Sequence, residues 1–267
     1  MPLPPPAIIV DLLKNILAPC LIASFFAAWF LLPRRGAGLA VCLGFLPAIY
    51  LAELLPWWDS ETSLGLWCAA MLLSQFTAWL DTTRPLSRIL GMLWIGLLTG
   101  ILVHFEQLGW NLTLGSALMA MLCFLSLTQG ESLLPRWLLV SLVLATGLAG
   151  SVVCIHAHSA RMSDLCMMWV ASMLGLLLML RWRPGRLHGL AGLCSLFFPF
   201  LLLYTQQNTF SELPVWTFVC LAAAPLVCLL SYLYARIPSR LITLLWLILL
   251  ALAAGIALKY ETIANIN

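Results

Sequence analysis

Apolar residues in this chain follow neither the alternation of a strand nor the narrow stripe of an amphipathic helix; they run in blocks of about twenty, separated by short clusters of Pro, Gly, Asn and charge. A helix satisfies its own backbone hydrogen bonds, and about 20 apolar residues carry it across the hydrocarbon of a bilayer. Each block is therefore read as a span. The blocks cover 10–32, 37–55, 63–80, 88–105, 112–129, 136–155, 163–180, 187–204, 215–234 and 241–259. The breaks include Pro33-Arg34-Arg35-Gly36, Trp57-Trp58-Asp59-Ser60-Glu61, Arg84-Pro85-Leu86-Ser87-Arg88 and the stretch from Arg181 to Arg186. The expected fold is all-α, a polytopic integral membrane bundle of about ten transmembrane helices forming one transmembrane domain over 1–267, with no room for a domain outside the bilayer.

Composition sharpens this picture by exclusion. Of the 267 residues 63% are hydrophobic and only 9% charged, and the mean hydropathy is +1.04. Soluble domains are about half apolar and a quarter charged, so a soluble enzyme, a disordered chain and a nucleic-acid binder with a basic face are all excluded. The nine cysteines are odd in number and lie in or beside apolar runs without a CxxC pair. They read as small buried hydrophobes rather than a disulfide framework or a zinc site.

The net charge of +3 matters less than its placement. Arginines recur at every second connection: Arg34 and Arg35; Arg84 and Arg88; Arg136; Arg181, Arg183 and Arg186; Arg236 and Arg240. Under the positive-inside rule these loops are cytoplasmic and both termini extracytoplasmic, in the inner or plasma membrane. Trp57, Trp58, Trp110, Trp137, Trp182 and Trp216 fall at span ends, where an amphipathic ring suits the headgroup zone. The first residues lack the basic start and cleavage pattern of a signal peptide, so no cleavage is expected.

Sliding the chain over itself by 152 positions aligns Cys42, Phe45 and Pro47 with Cys194, Phe197 and Pro199; Cys68 and Ala70 with Cys220 and Ala222; Arg84, Ser87 and Arg88 with Arg236, Ser239 and Arg240; and Trp94 with Trp246. The shift maps spans 2–4 onto 8–10 without a gap and preserves their orientation. This suggests a parallel internal repeat, with candidate units 8–106 and 160–261 and an intervening helix pair over 107–159.

Three sets of residues invite a functional reading. Pro47 and Pro199 lie within spans at matching positions, and interrupted helices in corresponding places of two halves point to a transporter's binding site. Gln75 is the costliest deep polar side chain to leave unpaired, so it joins them as a candidate substrate ligand, although interhelical bonding also explains it. His104, Glu106, His156 and His158 sit near the ends of spans 4 and 6 on one side, a donor set suited to zinc or a similar ion. Arg181, Arg183 and Arg186 could hold anionic headgroups, but topology alone accounts for them. Gly96 with Gly100, and Gly147 with Ser151, are read as close-packing pairs.

No HExxH, GxSxG, Walker A or GxGxxG motif is present, so the chain is read as more plausibly non-enzymatic, and no cofactor is expected. The expected partners are the lipid bilayer and either membrane-protein partners or further copies of the chain, with no nucleic acid. The leading functional expectation is a small-solute, permease-like transporter; the alternative is a non-catalytic membrane subunit or assembly scaffold of a larger membrane complex.

Overall fold

Helices occupy all ten expected segments in the computed structural model, which describes residues 17–31, 36–53, 64–80, 84–105, 109–157, 160–183, 185–208, 213–234 and 237–264. In chain order they are α1 (Ala18–Leu31), α2 (Ala37–Glu53), α3 (Leu64–Ser74), α4 (Pro85–Phe105), α5 (Trp110–Leu133), α6 (Arg136–His156), α7 (Ala160–Trp182), α8 (Leu190–Asn208), α9 (Val215–Ala223) and α10 (Ser239–Ala264). A 3-10 stretch, Gln75–Ala78, continues α3; another, Ala224–Leu229, continues α9 and ends in a last α-turn, Leu230–Leu233. The reading of the first residues as an uncleaved start lies outside the described residues.

Among the described residues, six helices are long and apolar enough to cross a membrane: Pro85–His104, Trp110–Leu133, Arg136–His156, Met162–Trp182, Val215–Tyr232 and Ser239–Tyr260. Four more are apolar but shorter, Ala18–Leu31, Ala37–Pro47, Ala69–Ala78 and Leu190–Pro199. The protein is thus an all-helical, membrane-embedded bundle. Its helix boundaries follow local chemistry. Leu134 turns extended (φ −108°, ψ 145°) because the residue before a proline disfavours the helical region. Pro135 then opens α6 where its missing N–H costs nothing.

The helices are apolar on all sides, so small residues and polar contacts decide which faces meet. α1 packs on both α2 and α7, α4 on α5, and α6 on α7. At the α1–α7 crossing a Cβ on Gly175 would stand 2.5 Å from the Leu21 carbonyl oxygen, and on α2 one at Gly44 would stand 2.8 Å from that of Cys20. Both glycines let backbones approach. Ser24 closes the same junction by donating to the Ser172 carbonyl at 2.7 Å. Gly96 seats Met121 of α5, while Gly147 seats Val170 and Trp169 of α7. Ser151 and Ser163 share a 2.7 Å hydrogen bond one turn further along α6 and α7.

The centre is aromatic. Trp169 stacks on Phe197 at 4.4 Å and 9°, and Phe45 meets both rings edge-on, at 6.2 and 5.5 Å. All three side chains are fully buried, and they tie α2, α7 and α8 together. Cys20, Cys42, Cys123, Cys154, Cys166, Cys194, Cys220 and Cys228 form no disulfide, and all of these but Cys220 are buried.

Most of the described arginines gather at one end of the bundle, Arg161 in the first turn of α7 being an exception. Arg88, Arg136 and Arg186 line a single cleft. Arg240 shares a groove with Leu138 in the first turn of α6. Arg181 and Arg183 follow Leu180, which faces Pro135 and Trp137. Arg183 lies 4.3 Å over the Trp29 ring and donates to the Trp29 carbonyl at 3.1 Å, joining the ends of α7 and α1. Trp110, Trp137, Trp182 and Trp216 are exposed at helix ends, as interfacial rings should be; Trp57 and Trp58 lie outside the described residues.

Candidate functional site

The arginine end carries a cleft of about 250 Å³ lined by Arg88, Thr128, Glu131, Ser132, Arg136, Arg186, Leu187 and His188. Four segments build it. Arg88 comes from the first turn of α4, Glu131 and its neighbours from the last turns of α5, Arg136 from the start of α6, and Arg186 with His188 from the connection into α8. The break at Leu134–Pro135 brings Glu131 and Arg136 to the same wall. Arg88 is held from outside the cleft: its Nη1 donates to the Tyr232 hydroxyl at 2.6 Å. Ser132 and Thr128 donate their hydroxyl protons to the carbonyls of Gln129 and Leu125 at 2.7 and 2.9 Å, leaving oxygen lone pairs as acceptors. A second cleft, about 390 Å³, adjoins the first through Glu131 and Arg136, and is completed by Leu134, Pro135, Trp137 and Leu180.

The guanidinium groups of Arg88, Arg136 and Arg186 along one cleft favour an anion, because a guanidinium fork matches phosphate or carboxylate geometry and never loses its charge. In the sequence Arg181, Arg183 and Arg186 could hold anionic headgroups, although topology alone accounted for them. Only Arg186 of the three lines the cleft.

Gln75 lies directly behind this cleft. Its Nε2 donates to Ser74 Oγ at 3.2 Å, to the Met71 carbonyl at 3.4 Å and to Cys42 Sγ at 3.5 Å, whereas Oε1 is buried with no hydrogen-bond partner. The amide is pressed between the start of α2 and the entry to α8. Gly38 donates its N–H to the His188 carbonyl at 3.1 Å, and Gly189, in the left-handed region at φ +78°, leaves room that a Cβ would close to 2.7 Å from Oε1. Gly189, which packs on the Gln75 amide, follows directly on His188 of the cleft wall.

The prolines are placed differently. Pro47 is exposed on α2 and Pro199 is buried on α8, two residues beyond Phe45 and Phe197 respectively, so both flank the filled aromatic centre rather than the cleft. Neither is gathered with Gln75. His104 caps α4 with its ring 4.9 Å from that of Trp110, and His156 ends α6. Glu106 and His158 lie outside the described residues, and among those described no group of three or more His, Cys, Asp or Glu is placed to hold a metal ion.

The cleft had no signature in the sequence, since its charged members are scattered between positions 88 and 188 and form no local motif. Arginine at alternate connections was the only available signal. Compared with known proteins, the chain matches no family model, no curated protein and no solved structure.

Proposed function

We propose that the protein is a permease-like transporter of a small anionic solute, with the arginine end cytoplasmic, both termini extracytoplasmic, and the arginine cleft as the vestibule open to solute. The observation that carries this reading is the pair of helix breaks. α3 ends in a 3-10 stretch at Gln75–Ala78, α9 passes through one at Ala224–Leu229, and a shift of 152 positions lays 75–78 on 227–230. Departures from α-helical bonding in corresponding places of two halves free backbone groups of the kind an alternating-access site uses. Contacts between positions 152 apart support duplication: Phe45 meets Phe197 and the Cys20 thiol lies against the Ser172 hydroxyl, as residues beside a two-fold axis along the membrane normal would. In this reading Phe45, Trp169 and Phe197 close the path beyond Gln75, and the ten helices span the membrane as units 8–106 and 160–261 around a central pair.

The test is uptake by full-length protein reconstituted in phosphatidylcholine vesicles, with labelled inorganic phosphate, glycerol 3-phosphate and acetate as probes. Transport predicts saturable uptake of at least one probe above protein-free vesicles, lost in Q75M. Equal permeability with and without protein for all three would leave the scaffold reading, which a solid aromatic centre equally suits.

A further inference from the structure

We infer that the paired clefts at the arginine end form a binding site for an amphiphile carrying a phosphomonoester, with the phosphate among Arg88, Arg136 and Arg186 and the apolar body against Leu134, Pro135, Trp137 and Leu180. Charge selects the headgroup. Arg136 and Arg186, with Arg88 beside them, set guanidinium groups along the polar cleft, and a phosphomonoester, carrying about −1.5 to −2 at neutral pH, is drawn to them more strongly than a phosphodiester at about −1.

The adjoining cleft selects the rest of the ligand. It is walled by two leucines, a proline and an indole, and it meets the polar cleft at Glu131 and Arg136. Trp137 is 60% exposed at the start of α6, the depth at which an indole borders headgroups and acyl chains. A molecule with its phosphate in the first cleft can lay its hydrocarbon on Trp137 and Leu180 without leaving the bilayer. Occupancy of the clefts stands on its own; only passage of the ligand across the membrane rests on the transporter reading.

The experiment uses the full chain in detergent micelles, with native mass spectrometry reading occupancy by dioleoyl phosphatidic acid, by dioleoyl phosphatidylcholine with identical tails, and by glycerol 3-phosphate. Phosphatidic acid should bind at least about tenfold more tightly than phosphatidylcholine, the worth of one charge-assisted contact. R136Q and R186Q should each lower that affinity about tenfold. Both side chains are exposed, so neither substitution should disturb folding, which circular dichroism checks. W137A should weaken phosphatidic acid and leave glycerol 3-phosphate unchanged. Equal binding of the two lipids, or wild-type affinity in both arginine variants, would overturn the site. Glycerol 3-phosphate binding as tightly as phosphatidic acid, with W137A silent, would overturn the amphiphile and point to a soluble phosphate ester. Lipid binding without uptake would separate failure of the transporter reading from failure of the site.

Discussion

The indole N–H of Trp246 donates a 3.0 Å hydrogen bond to the hydroxyl of Thr146, which passes its own proton to the Leu142 carbonyl at 2.9 Å. Both side chains are fully buried, and the chain of bonds pins α10 to α6. Thr146→Val keeps the shape and orphans the indole N–H, so stability should fall by about 1 kcal/mol. In W246F the same threonine change should have less effect. Thermal unfolding in mixed micelles over this double-mutant cycle measures the coupling, and strict additivity would show that the bond contributes nothing.

Glycine substitutions should divide by what their new methyl meets. Gly175→Ala would press on the backbone of α1, with the Leu21 oxygen at 2.5 Å and the Phe25 nitrogen at 3.0 Å, and backbone cannot step aside as a side-chain tip can. Overpacking of this kind costs about 1–3 kcal/mol. Gly100→Ala meets nothing closer than 3.9 Å and should be neutral or slightly stabilising, as alanine is the better helix former. Matched thermal midpoints for the two variants would contradict the crossing geometry.

Gln75→Met tests fold and function separately. The amide's acceptor has no partner and its donor contacts are long, so an apolar side chain of similar length should change stability by less than about 1 kcal/mol, or about 2–4 °C in melting temperature. Uptake through the proposed path should nevertheless be lost. A folded Q75M protein with intact transport would remove Gln75 from the route.

Accessibility checks the sidedness. Cys20, Cys42, Cys123, Cys154, Cys166, Cys194 and Cys228 are buried and Cys220 is half-buried, so labelling by a membrane-impermeant maleimide is read against the unsubstituted protein as background. In the proposed orientation, Ser132→Cys, exposed at the arginine end, should label only from the cytoplasmic side, and Asn111→Cys, exposed at the opposite end of α5, only from the outside. Labelling of both from one side would contradict the antiparallel placement of the ends of α5.

Much of the architecture was legible in the linear pattern because hydrocarbon imposes a length. An apolar run must be long enough to cross and must end in groups that tolerate water, so the block at 136–155 became α6 at Arg136–His156 and the block at 112–129 became the core of α5 at Trp110–Leu133. The alternation of arginines foretold their shared end for the same reason, since each guanidinium resists crossing the bilayer. Gly96 and Gly147 were legible as packing sites because a missing side chain leaves room for a neighbour's, here Met121 and the pair Val170 and Trp169, whereas Gly100, read together with Gly96, would meet nothing closer than 3.9 Å.

Which faces meet was decided by the tertiary structure. Pro47 and Pro199 occupy matching sequence contexts, yet one is exposed and the other buried, because lipid tails are as apolar as a helix neighbour and hydrophobicity does not distinguish the two. Gln75 could be picked out as a costly polar group, but its place behind the His188–Gly189 wall depends on where α2 and α8 begin in space. The cleft of Arg88, Glu131, Arg136 and Arg186 likewise exists only once four distant helix ends converge. Sequence determined the lipid-bathed helices and the end that keeps the charge; packing determined which of those charges face one another.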